Sequence, residues 1–189
     1  MYRFVSLALS AAFLVTGTSA FAADSYKLDP VHSSTVFRVG HAGIGVIYGQ
    51  FTQGSGQFTL DEADLTKSTF EFEVQASSVN TNVDKRDAHL KSPDYLNVKQ
   101  YPTVTFKSTS VARTDDKHLQ VTGDFTLHGV TRSITIPVEL LGKGEFPKGT
   151  LRAAIETVFE IKQSDYQIKG IPGGTSDEVK LMVAVEGTR

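Results

Sequence analysis

The chain has 189 residues, 40% hydrophobic and 21% charged, with no cysteine, no tryptophan and a formal net charge of −2. That is enough for one ordinary domain with its own core. Zero cysteine excludes a disulfide framework, thiolate chemistry and Cys-based metal sites. The slightly acidic balance gives no electrostatic case for nucleic acid or an anionic membrane surface.

The first residues predict export. Arg3 carries the single positive charge, residues 4–15 are mainly apolar, and residues 16–22 turn small and polar, ending Ala20-Phe21-Ala22. This is the pattern of a cleaved signal peptide over 1–22, cut between Ala22 and Ala23 and leaving a domain over 23–189. The apolar run is short for the roughly 20 residues of a spanning helix, and no cysteine is present to carry a lipid. A simple signal ahead of a cysteine-free chain suits a bacterial periplasm, with no stable membrane anchor after cleavage.

Residues 26–30 form a short extended leader, and residues 34–41 the first full strand. Residues 46–60 are extended but interrupted by Gly49, Gly54 and Gly56, the mark of bulges or bends that curl a sheet. Residues 68–76 alternate cleanly, with Phe70, Phe72, Val74 and Ala76 on one face. Residues 84–106 then break the alternation. The polar run 84–91 predicts a helical crossover with Asp84 as its cap. Pro93 ends it, and Tyr101-Pro102 returns the chain to an extended state. Strands follow over 103–111, from Leu119 to Leu127, over 133–141, from Leu151 to Ile161, and from Val179 to Val185. Pro137 predicts a weakened ladder or bulge. A turn or 3₁₀ segment is expected at Ser164-Asp165-Tyr166, and a Pro/Gly-rich loop over 171–176.

About eight strands joined by short turns favour antiparallel neighbours. Pattern alone leaves a sandwich or a closed barrel. The barrel is preferred because closure removes exposed edges. Apolar alternation ordinarily means a solid core, but an eight-stranded barrel can also hold one small ligand. Phe58 is a further inward candidate. The pocket candidates are Phe37, Val39, Phe51, Phe70, Phe72, Val74, Phe106, Val121, Phe125, Ile136, Ile155, Phe159 and Val183. A ten-residue strand tilted near 40° gives a barrel roughly 25 Å tall, which suits an extended lipid tail better than a compact polar metabolite.

Three spaced motifs carry a resemblance. The first is Arg86-Asp87-x-His89-Leu90-x-Ser92-x-Asp94-Tyr95-Leu96-Asn97, followed by Tyr101-Pro102-x-x-x-Phe106. The second runs from Gly123 through Phe125, His128 and Gly129 to Arg132. The third is Asp177-Glu178-Val179. Together they resemble the YceI family over about residues 26–186. The resemblance implies a mainly β fold, a lipocalin-like eight-stranded antiparallel barrel with a short helical crossover. It also implies an exported bacterial protein that binds polyisoprenoids or similar long amphipathic lipids. The chain departs from the family pattern at Gln163 and Gln167, where an arginine and a glycine flank the Asp-aromatic turn.

Arg86, Asp87 and His89 form a polar crossover group. Its alternatives are a structural network, a headgroup site or a catalytic cluster, and the need of buried charges for partners favours structure. The five histidines have no metal-ligand spacing, and no Gly-x-Ser-x-Gly elbow is present. The expectation is a non-enzyme with no catalytic residues, no metal and no required cofactor. Its ligand would be an isoprenoid, an isoprenoid quinone or a fatty-acid-like lipid. A homodimer is left open. The rivals are a solid-core interaction module for envelope stress or electron transport, and an enzyme acting on bound lipid.

Overall fold

A computed structural model describes residues 23–189; the expected signal peptide lies outside the described residues. The alternating segments become β1 (Asp24–Leu28), β2 (Ser34–His41), β3 (Gly45–Phe51), β4 (Gly54–Leu60), β5 (Thr69–Gln75) and β6 (Val79–Asn80). After the helix α1 (Asp84–Lys91) come β7 (Thr103–Arg113), β8 (His118–Leu127), β9 (Val130–Glu145), β10 (Leu151–Lys162) and β11 (Thr175–Thr188). The leader is therefore a strand, and residues 46–60 are two strands hinged at Thr52-Gln53.

Strand order explains how eleven segments make eight staves. β1, β4, β5, β7, β8, β9, β10 and β11 pair in that order, and β1 returns to β11 through Lys27↔Thr188 and Leu28↔Gly187. Every pairing is antiparallel, so the barrel is closed. At its other end β2 takes over from β1 beside β11, β3 pairs with β2, and β6 pairs with β3. Each of the first three staves is thus a bent pair of strands.

Two local expectations need correction. Asp84 does not cap α1: the N-cap position is Val83, without a side-chain bond, and Asp84 lies in the first turn. Pro137 does not bulge the strand either, because Gln120↔Pro137 pairs in register with β8. The irregularity lies farther along, between Ala154 and Ile155 opposite β9. On that side the ladder ends at Glu139↔Glu156, two residues short of Pro137, as suits a residue with no amide to donate.

The interior has two halves. At the end sealed by β1, Tyr26, Phe58, Phe70, Leu119 and Val121 are almost wholly buried. Tyr26 stacks on Phe58 at 5.3 Å between ring centroids, and Phe58 on Phe70 at 6.3 Å. The rings need glycine beside them: a Cβ on Gly187 would lie 2.7 Å from Phe58 Cε1 and from Tyr26 Cβ.

The 3₁₀ turn Gln163–Tyr166 ends on Gln167 in the left-handed region, at φ 59°. A side chain there costs roughly 1–2 kcal/mol, and glycine returns part of that as unfolded-state entropy. Gln167→Gly is therefore expected to raise stability by about 0.5–1 kcal/mol in urea unfolding. A loss of stability would show that the Gln167 side chain makes a compensating contact.

Candidate functional site

Above the packed half the barrel opens into a cavity of about 610 Å³, within the ~300–1,000 Å³ of small-molecule sites. Its depth follows from register. Thr157, Val183 and Thr35 stand side by side on β10, β11 and β2, just above buried Ile155 and Val185. Phe159, Leu181 and Phe37 form the next row, then Ile161, Val179 and Val39. His41 and Thr175 pair at the rim. Rim to floor is about six residues, roughly 20 Å along the strand and about 15 Å along the axis of a barrel tilted near 40°.

Of the pocket candidates, Phe37, Val39, Phe51, Phe72, Val74, Phe106, Phe125, Ile136, Phe159 and Val183 line this cavity. Phe70, Val121 and Ile155 do not; they belong to the packed half, at 2%, 0% and 4% exposure. Alternation identified the inward face but not the depth at which packing stops. It also passed over Tyr95, Leu96, Ile168 and Ile171, which line the cavity from the crossover and the mouth loop. No periodicity marks apolar residues in such segments.

The crossover is held by a compact polar network. Asp87, 8% exposed, accepts from the Thr81 amide at 2.8 Å and the Thr81 hydroxyl at 2.5 Å. Arg86 donates through Nε to Thr81 Oγ1 at 2.7 Å and through its terminal nitrogen to the Thr81 carbonyl at 2.9 Å. Both residues thus fasten α1 to the end of β6. His89 is half-exposed, with Nε2 3.2 Å from Asp94 and its ring edge-on to Tyr95 at 5.1 Å. Arg86 and His89 face the cavity, with Lys85 beside them. Asp87→Ala would orphan two buried donors and is expected to cost about 1–3 kcal/mol. Thermal unfolding checks this, and Asp87→Asn, which keeps an acceptor, should lose less.

The other two motifs converge on the 3₁₀ turn beside the mouth loop. His128 and Gly129 both have positive φ, 51° and 74°, and join β8 to β9 in two residues, as right-twisted hairpins require. Tyr101 packs on His128 at 4.6 Å and fills the space a Cβ on Gly129 would need, 2.3 Å away. His128 Nδ1 donates to the Tyr166 carbonyl at 3.1 Å, and Arg132 Nε to the Asp165 carbonyl at 2.7 Å. From the opposite side Asp177 accepts from the Ser164 hydroxyl and amide at 2.6 and 2.8 Å. Those two donors hold its carboxyl below the usual carboxylate range, so the tether is complete at neutral pH and is lost only in acid. Gln163, where the family pattern has arginine, donates to the Ser176 carbonyl at 2.8 Å and lines the cavity.

At the sealed end Asp29, His32 and Glu186 come close enough to share a cation. Arg152 already supplies one, donating to both Asp29, at 2.8 Å, and Glu186. His32 and Arg152 hold the Asp29 carboxyl well below the usual range.

A closed eight-stranded antiparallel barrel, packed at one end and hollow and apolar at the other, defines a lipocalin-like class of protein. The chain belongs to the YceI-like domain family, whose model matches residues 26–187. It is 41% identical over 181 residues to Protein YceI of Escherichia coli O6:H1, covering 95% of this chain and 94% of that one. Its fold is similar to Burkholderia cenocepacia BcnA, with a TM-score of 0.77 at 20% identity over 84% of this chain and 98% of that one. It is also similar to a polyisoprenoid binding domain from Saccharophagus degradans implicated in plant cell wall breakdown. There the TM-score is 0.66 at 20% identity, over 86% of this chain and 97% of that one. Among the described residues no helix is long and apolar enough to cross a membrane.

Proposed function

We propose that the chain binds a long isoprenoid, or a similar amphipathic lipid, in the barrel cavity and carries it through the periplasm after export. The observation that supports this most is the cavity itself, about 610 Å³ and walled chiefly by Phe, Val, Ile and Leu. Each CH₂ buried there contributes roughly 0.8 kcal/mol, so a long tail binds with few polar contacts. The binding specificity named for the Saccharophagus domain of the same fold agrees with this reading. Lys85, Arg86 and His89 stand where the lipid passes the crossover. The role is non-catalytic and needs no cofactor, an isoprenoid quinone being cargo.

Native mass spectrometry of protein purified from the periplasm, with extraction of any bound lipid, tests the proposal. A stoichiometric isoprenoid or fatty-acid-like lipid is expected. Absence of bound lipid, with no uptake of quinone or polyprenol by the folded protein, would overturn it in favour of a barrel acting through its outer face.

A further inference from the structure

The barrel wall is incompletely zipped at one seam. β9 and β10 pair from Glu145↔Leu151 only as far as Glu139↔Glu156. Beyond that, residues 130–138 and 157–162 run on with no ladder between them. The seams on either side are paired through the same stretch, as far as Leu127↔Val130 and Lys162↔Glu178. The unpaired stretch flanks the hollow half, since Ile136 and Phe159 line the cavity. Outside it lies a cleft walled by Ser133, Ile134, Glu160 and Lys162. Ile161 borders both the cleft and the cavity, so at that point one side chain separates the interior from the outside.

Two contacts close the seam at the mouth. Arg132 on β9 donates across it to the Asp165 carbonyl at 2.7 Å, and His128 in the β8–β9 turn to the Tyr166 carbonyl at 3.1 Å. Among the described residues two buried side-chain polar atoms lack a partner, Thr157 Oγ1 and His128 Nε2. Both belong to this seam. Thr157 is the first residue past the last pair, and His128 stands at the latched end. Closure thus leaves polar groups dry and unpaired, which is costly, and opening would return them to water.

The geometry points to the β9–β10 seam as a side gate for the cargo, with Arg132 as its latch and Ile161 as its septum. This rests on the lipid-binding reading and concerns the route, not the identity of the ligand. A long lipid threaded end-on must feed its whole bound length through the mouth. Parting the seam joins it to the mouth, so the lipid slips in sideways while its protruding end passes the crossover. At a paired seam the same opening would break a run of ladder hydrogen bonds. Here it breaks the latch contacts and uncovers Ile134 and Ile161.

The chain has no cysteine, so the seam can be stapled without side reactions. Ser133→Cys with Lys162→Cys puts one thiol on each strand of the cleft, to be joined by a reducible bis-methanethiosulfonate. Thr122→Cys with Thr135→Cys staples the paired β8–β9 seam as a control. Stopped-flow fluorescence of dansyl-labelled geranylgeraniol gives the uptake and release rates and, from their ratio, the dissociation constant. The β9–β10 staple is expected to slow both rates about tenfold or more, with the constant within a few-fold of wild type. Reduction should restore the rates. Arg132→Ala should speed both by about tenfold, and the staple should reverse that gain, which a merely weakened barrel would not predict. Unchanged rates in the stapled seam, or equal slowing by the control staple, would overturn the gate while leaving the cavity reading intact. Failure of the folded wild type to take up the probe would overturn both.

Discussion

Phe72→Glu is expected to abolish uptake of long-chain lipid by a barrel that still folds. Phe72 lines the cavity from β5, opposite Phe106 on β7. A lipid tail covering that position would strip water from the new carboxylate, and no partner is placed to repay it. Lys85, Arg86 and His89 belong to the crossover, not to the β5–β7 wall. Burying an unpaired charge costs several kcal/mol, so affinity should fall by at least about a hundredfold. The empty cavity leaves the carboxylate hydrated, so far-UV circular dichroism should be unchanged. Some stability will be lost, because the Phe72 ring lies 6.3 Å from Phe58. Unchanged affinity in a folded variant would remove Phe72 from the site.

Phe58→Ala should act the other way, on stability and only weakly on affinity. Phe58 is 0% exposed and is not part of the cavity wall. It sits between Tyr26 and Phe70 and covers the Gly187 backbone, where β11 meets β1 to close the barrel. Removing a buried phenyl group from such packing costs about 3–5 kcal/mol, a large share of the 5–15 kcal/mol that holds a typical domain together. The urea midpoint should drop accordingly, with lipid affinity of the folded fraction within a few-fold of wild type. A loss below about 1 kcal/mol would mean that the sealed end relaxes around the void. Together the two variants separate the half of the barrel that holds the fold from the half that holds the ligand.

The polar motifs show how far residue chemistry reads without coordinates. A structural role for Arg86 and Asp87 follows from the rule that buried charges need partners, and both do fasten the crossover. That their common partner is Thr81 was not legible, since Thr81 lies just past a two-residue strand without a pattern of its own. Likewise, Gly129 marks a turn in any sequence, but only packing reveals that Tyr101 occupies the place of its missing side chain. His128, Arg132 and Asp177 are separated by up to 49 positions in the chain, yet all three grip the turn Gln163–Tyr166. Convergence of that kind depends on strand neighbours, and spacing does not encode strand neighbours.

The sequence by itself determined the mainly β class, the helical crossover, the inward face of the strands that alternate cleanly and the family. Period-two alternation, its interruption at residues 84–106 and three spaced motifs are local properties of the chain. Only the tertiary structure decided where the interior is filled and where it is empty. Phe70 and Phe72 are two positions apart on one face of β5, and identical in pattern. Phe70 meets Phe58 in the sealed half, whereas Phe72, beside Phe106 on the neighbouring strand, lines the open one. The difference arises because β1 closes the barrel at one end, while β2, β3 and the crossover splay around a space at the other. Volume is a property of the assembled walls, and alternation records only which way each side chain points.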